Sequence, residues 1–133
     1  MSRYVVDTSA YTHFQRADAT VVELLDAADW IGVPSIVLGE LWTGFLLGRR
    51  THENERELRE FLAHPAVEQL SIDSDTARVY AEIVVALRKA GTPLPSNDVW
   101  IAACAASAGA RVLTYDSHFQ QIARVGAIVL DDR

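Results

Sequence analysis

The order of its apolar segments constrains this chain more than any other feature. Short runs rich in Val, Ile and Tyr alternate with longer stretches of helical period. RYVVD opens the series, and helical segments follow, DATVVELLDAA being the clearer one. WIGVP reads as a second strand, PSIVLGELWTGFLLG as a helix with Ser35 as its N-cap, and HENERELREFLAH as a charged amphipathic helix. VEQLSI is a third strand. Ser74 or Asp75 then opens a long helix through VYAEIVVALRKA, which Gly91 ends. SNDVWIAACAASAG is the next helix, and RVLTY and AIVL are the last strands. Strands alternating with helices predict an α/β fold with a mainly parallel sheet. Ligands of such sheets bind beyond the carboxyl ends of the strands.

With 133 residues, half of them hydrophobic, the chain is predicted to form a single domain over residues 1–133 with a substantial core. Its apolar runs are too short to cross a bilayer, so no membrane contact is expected. The start, MSRYVVDTSAY, reads directly as a strand and a turn rather than a basic segment and an apolar signal core. The lone cysteine, Cys104, allows no internal disulfide, and a cytoplasmic location is expected. A net charge of −6 is the wrong sign for a simple nucleic-acid binder, unless several acids are occupied by cations. Arginines cluster at Arg49, Arg50, Arg56 and Arg59, a group that could equally be a solvated helix face. The histidines His13, His52, His64 and His118 lack zinc-type spacing.

Four carboxylates stand out against this pattern. Asp7 follows YVV at the carboxyl end of the first strand, and Asp116 follows VLTY at the end of a later one. If these strands are parallel neighbours, both acids project at one edge. Asp98 lies in the first turn of a helix, which reaches that edge if the preceding loop, GTPLPSN, crosses to it. Glu40 shares a helical face with Ile36, Val37 and Gly44 and has no basic residue at 36, 37, 43 or 44. An ionised Glu on a buried face is costly unless paired. Each Asp has a local explanation as well: a turn for Asp7, the helix dipole for Asp98, a cap on SHFQQIA for Asp116. A shared explanation covers all four, because clustered carboxylates become favourable around hard divalent cations.

The series VVDTSA, VLGEL, PSNDVWIAACA and VLTYDSHF resembles the PIN-domain ribonucleases, and more narrowly the VapC-type toxins of bacterial toxin–antitoxin pairs. The resemblance covers essentially the whole chain. It implies a three-layer α/β/α fold with a parallel sheet of strand order 3-2-1-4-5. It implies an endoribonuclease dependent on Mg²⁺ or Mn²⁺ that leaves 5′-phosphate and 3′-hydroxyl ends. Carried over residue by residue, the catalytic and metal-binding acids are Asp7, Glu40, Asp98 and Asp116, with Ser9 and Thr114 as supporting polar groups. The implied partners are RNA and a VapB-like antitoxin. A homodimer is also expected. Trp42, Phe45, Leu46 and Leu47 exceed what one core-facing stripe requires, which makes them candidates for either protein interface.

Other classes fit less well. A haloacid-dehalogenase-type phosphatase wants D-x-D after the first strand, but here the third position is Ser9. A phospho-accepting receiver module wants paired acids there and a lysine after its last strand, where this chain reads IVLDDR. A catalytically silent PIN-like binding protein is the remaining alternative.

Overall fold

A computed structural model describes residues 1–131. The strands are β1 (Arg3–Val6), β2 (Trp30–Pro34), β3 (Val67–Leu70), β4 (Arg111–Thr114) and β5 (Ala127–Val129). The helices are α1 (Thr8–Gln15), α2 (Ala19–Asp26), α3 (Ser35–Leu47), α4 (Thr51–Leu62), α5 (Ser74–Ala90) and α6 (Ser96–Ala108). One 3-10 turn spans Ser117–Gln121. All strand pairs are parallel, in the order β3-β2-β1-β4-β5, and helices cover both faces. The predicted three-layer architecture and strand order are therefore observed.

The covered faces account for the strand composition. Val5, Val6, Val33, Val112 and Leu113 are fully buried, as expected where neither side of a strand meets solvent. The edge strand β3 differs: Glu68 and Gln69 are exposed, and polar groups of this kind discourage further strand pairing. In β2, Gly32 makes room for its neighbours. A Cβ there would lie 2.5 Å from the Trp30 ring and 2.8 Å from Leu70. The Trp30 ring in turn packs under the Arg3 guanidinium, 4.3 Å from the ring centroid.

Helix ends follow their local chemistry. Asp7, Asp18 and Asp73 each cap a helix by accepting a backbone N–H. Gly91 and Gly109 close α5 and α6 in the left-handed conformation that glycine adopts freely. Ser35 departs from expectation. Pro34 occupies the cap position of α3, and the Ser35 hydroxyl donates instead to the Leu70 carbonyl, 3.1 Å away. The hydroxyl thus ties the start of α3 to the end of β3.

Helices α5 and α6 form an antiparallel pair, with Tyr80 stacked on Trp100 at 3.7 Å between centroids. Residues 91–95 turn the chain between them. This hairpin lies between β3 and β4, which stand at non-adjacent positions in the sheet, so it carries the chain past β2 and β1.

Candidate active site

The register of the central strands assembles the first half of the site. Val6 pairs with Leu113, so the next residue of each strand, Asp7 and Thr114, arrive side by side. The Asp7 N–H donates to the Leu113 carbonyl at 3.3 Å. Beyond that point the chain leaves β1 and enters α1, with Asp7 as its cap. Asp7 Oδ1 accepts from the Ala10 N–H at 2.9 Å and from the Ser9 hydroxyl at 2.7 Å. Asp7 Oδ2 accepts from the Thr114 hydroxyl.

A hydroxyl has one hydrogen to donate but can also accept. Ser9 and Thr114 spend their hydrogens on Asp7 and accept from the backbone of the segment after β4. Tyr115 N–H reaches Ser9 Oγ at 3.0 Å, and Asp116 N–H reaches Thr114 Oγ1 at 2.8 Å. The two hydroxyls thus stitch the end of β1 to the end of β4. Burial pushes the Asp7 carboxyl above the usual carboxylate range, and the nearby Asp116 adds to this. Hydrogen bonds from Thr114, Ala10 and Ser9 oppose the rise.

Asp116 caps the 3-10 turn through the His118 N–H at 2.9 Å. Its Oδ1 also lies 3.0 Å from His118 Nδ1. The His118 side chain is 58% exposed and is bonded to that acid. Glu40 is half-buried on α3, and its Oε1 accepts from the Thr8 hydroxyl at 2.8 Å.

Asp98 is the bare member. It lies in the first turn of α6, half-buried, and accepts no hydrogen bond among the described residues. Its carboxyl is pushed up to about 6, first by burial and then by the charges of Asp116, Asp7 and Glu40, while His118 acts in the opposite direction. These mutual influences place all four acids around one edge, where β1 and β4 end. The loop 91–95 does deliver the start of α6 to that edge.

The donor set, four carboxylates without cysteine, suits a hard divalent cation. The acids are arranged openly, however: among the described residues no three His, Cys, Asp or Glu side chains form a ready-made metal cage. Binding a cation would draw the acids inward. Asp98 has the fewest competing bonds to break.

Other expectations resolve differently. Phe45 belongs to the core, at 6% exposure, and is not free for an interface. Leu46 and Leu47 are 69% and 84% exposed. Arg50 pairs with Glu53 and Arg59 with Glu55, so half of the arginine group is spent on local helix pairs. Cys104 is buried. Two features escaped the sequence reading. One is the Thr8–Glu40 bond, for which the only signal was a hydroxyl residue beside Asp7. The other is an apolar cavity of about 380 Å³ away from the acids. Tyr11, Phe14, Leu25, Ile31 and Phe61 line it, and Asp26, Glu57 and Glu60 stand among its lining residues. No helix among the described residues is long and apolar enough to cross a membrane.

Known proteins share this fold. The chain is similar to Ribonuclease VapC5 of Mycobacterium tuberculosis, with 30% identity across 86% of this chain and 84% of that one. It is 33% identical to Ribonuclease VapC4 of the same organism, across 77% and 78% of the two chains. Among solved structures, it superimposes on VapBC-5 of M. tuberculosis, a member of the VapBC family of toxin–antitoxin systems. The TM-score is 0.75 at 30% identity, covering 98% of this chain and 100% of that one. The fold also matches VapBC2 from Rickettsia felis bound to a DNA fragment from its promoter, with a TM-score of 0.84 at 24% identity over 97% and 99% of the chains. The PIN domain model matches residues 4–125, and the chain belongs to the PIN-domain family, among its VapC-type members.

Proposed function

We propose that this protein is the toxin of a toxin–antitoxin pair, an endoribonuclease that hydrolyses RNA phosphodiester bonds with Mg²⁺ or Mn²⁺ held by Asp7, Glu40, Asp98 and Asp116. One observation carries the reading: Asp98, half-buried and without a hydrogen bond, faces three further acids and is raised to about 6. A carboxylate left so unfavourably placed is costly unless a ligand uses it.

A divalent cation in such a site neutralises charge on phosphate oxygens and lowers the pKa of water. The chain's own groups do the rest. Asp7, fixed on both oxygens, provides an anchor of set geometry. The Asp116 charge acts on Asp98, and the His118 imidazole steadies Asp116. Thr114 and Ser9 keep the ends of β1 and β4 at a fixed separation. The products would carry 5′-phosphate and 3′-hydroxyl ends.

The named relatives support a VapB-like antitoxin as partner. Its apolar anchors would fit the cavity that Tyr11 and Phe61 help to line, and its basic residues would suit Asp26, Glu57 and Glu60. Exposed Leu46 and Leu47 are offered as part of a homodimer contact. The test is incubation of the purified, antitoxin-free protein with an RNA panel, in Mg²⁺ or Mn²⁺ and in chelator. Metal-dependent cleavage that Asp98→Asn abolishes is expected. No cleavage by the wild type across the panel would favour the second reading, a silent PIN-like binding protein, which the open spacing of the acids favours.

A further inference from the structure

We propose that Thr8 is a positioning residue, which holds Glu40 at the rim of the acid cluster and sets how strongly that acid contributes to cation binding. The inference rests on the reading of the four acids as a cation site and assigns a role that the four acids do not exhaust. Thr8 is the first residue of α1 and immediately follows Asp7. Its hydroxyl donates across to α3, 2.8 Å from Glu40 Oε1, between residues 32 positions apart in sequence. The Thr8 carbonyl is engaged separately, by the Thr12 hydroxyl at 2.9 Å.

Three physical points make this bond more than incidental. The hydroxyl has a single hydrogen, and it is committed to one Glu40 oxygen. The β-branched threonine holds its Oγ1 in few rotamers, so the bond fixes a direction as well as a contact. It is also the only hydrogen bond Glu40 makes among the described residues, which leaves Oε2 uncommitted. Without Thr8, the three-carbon Glu40 side chain on α3 would be free to swing toward solvent, away from the repulsion of Asp98. Groups that orient a metal ligand in this way commonly alter affinity by about 10–100-fold when removed.

The experiment is titration of the full-length, RNA-free protein with Mn²⁺, followed by the electron paramagnetic resonance of the free ion. The proteins are wild type, Thr8→Val, Thr8→Ser, Thr8→Ala, Glu40→Gln, Asp98→Asn and the Thr8→Val/Glu40→Gln double variant. Melting curves in chelator accompany each titration, and Thr8→Ala replaces Thr8→Val if the valine variant is unfolded. Thr8→Val should weaken Mn²⁺ binding about tenfold, Thr8→Ser should restore it, and the double variant should bind no more weakly than Glu40→Gln alone. Wild-type affinity in folded Thr8→Val, or an equal loss from Thr8→Val in the Glu40→Gln background, overturns the role of Thr8 alone. Unchanged affinity in Asp98→Asn, or no binding by the wild type, overturns the cation site and the role of Thr8 with it.

Discussion

Asp7 and Asp98 have the same side chain, lie at the same edge and are both raised by burial, yet the fold treats them differently. Asp7 receives three hydrogen bonds and joins two strand ends. Asp98 receives none among the described residues. The first acid is part of the scaffold, and the second is held at a cost in stability that no hydrogen bond among the described residues offsets. A site of this kind needs both: a fixed reference point and an acid whose preferred partner comes from outside.

The largest expected effect treats the two alike. If the proposed cation site is right, Asp7→Asn and Asp98→Asn should each lower RNA cleavage by about a thousandfold or more, because each would remove a charged ligand worth roughly several kcal/mol to the reaction. Rates on a labelled RNA substrate measure this. Cleavage near the wild-type rate by either variant would break the shared assignment.

Stability should then separate the pair. In chelator, Asp7→Asn should lose about 1–2 kcal/mol, because an amide NH₂ replaces one acceptor facing hydroxyl or N–H donors. Asp98→Asn should gain about 1 kcal/mol, a figure reduced by solvent screening at a half-exposed group. Denaturant midpoints decide, and destabilisation of Asp98→Asn would return Asp98 to the task of supporting its own helix start. As a reference, Leu113→Ala should cost about 2–5 kcal/mol by opening a cavity beneath the same edge, with no specific effect on cation affinity in the folded protein.

The pH dependence sharpens the contrast. Asp98 has a folded value of about 6, above its ordinary 3.8, so the folded state binds the extra proton between those values. This group's contribution to stability is therefore greatest below about 3.8, declines as pH rises, and is gone above about 6. In chelator, the wild type should lose stability relative to Asp98→Asn on going from pH 5 to pH 7. Mg²⁺ should reverse the trend, since it requires the ionised acid and binds only the folded protein. The smallest effect expected is the rise in Tm that Mg²⁺ gives Asp98→Asn, well below that of the wild type. Equal rises in both would show that Asp98 is not a ligand.

The sequence already carried the scaffold and drew attention to the four acids. Apolar runs with turn and cap residues between them locate the strands, and Asp7 and Asp116 stand at strand ends in the linear text. What it could not carry was pairing across distance. Nothing local shows that Val6 lies opposite Leu113, and hence that Thr114 bonds Asp7. The burial of Phe45 depends on how α3 is rotated against its neighbours, which a uniformly apolar helix does not declare. Ser35 looked like a cap because caps are recognised by residue type, whereas its hydroxyl had a partner at the end of β3. The apolar cavity is formed by several elements at once, so no single stretch could announce it.

The Thr114–Asp7 bond closes a loop of 107 residues. Contacts of that separation are entropically expensive and depend on the intervening chain having already become compact. During synthesis, which proceeds from the N-terminus, Asp7 is made 107 residues before Thr114. The nascent polypeptide therefore lacks the assembled edge until β4 has emerged and docked beside β1. RNA cleavage of the proposed kind would thereby wait for β4, and fragments ending before Arg111 carry Asp7, Glu40 and Asp98 without Asp116 or the strand that gathers them.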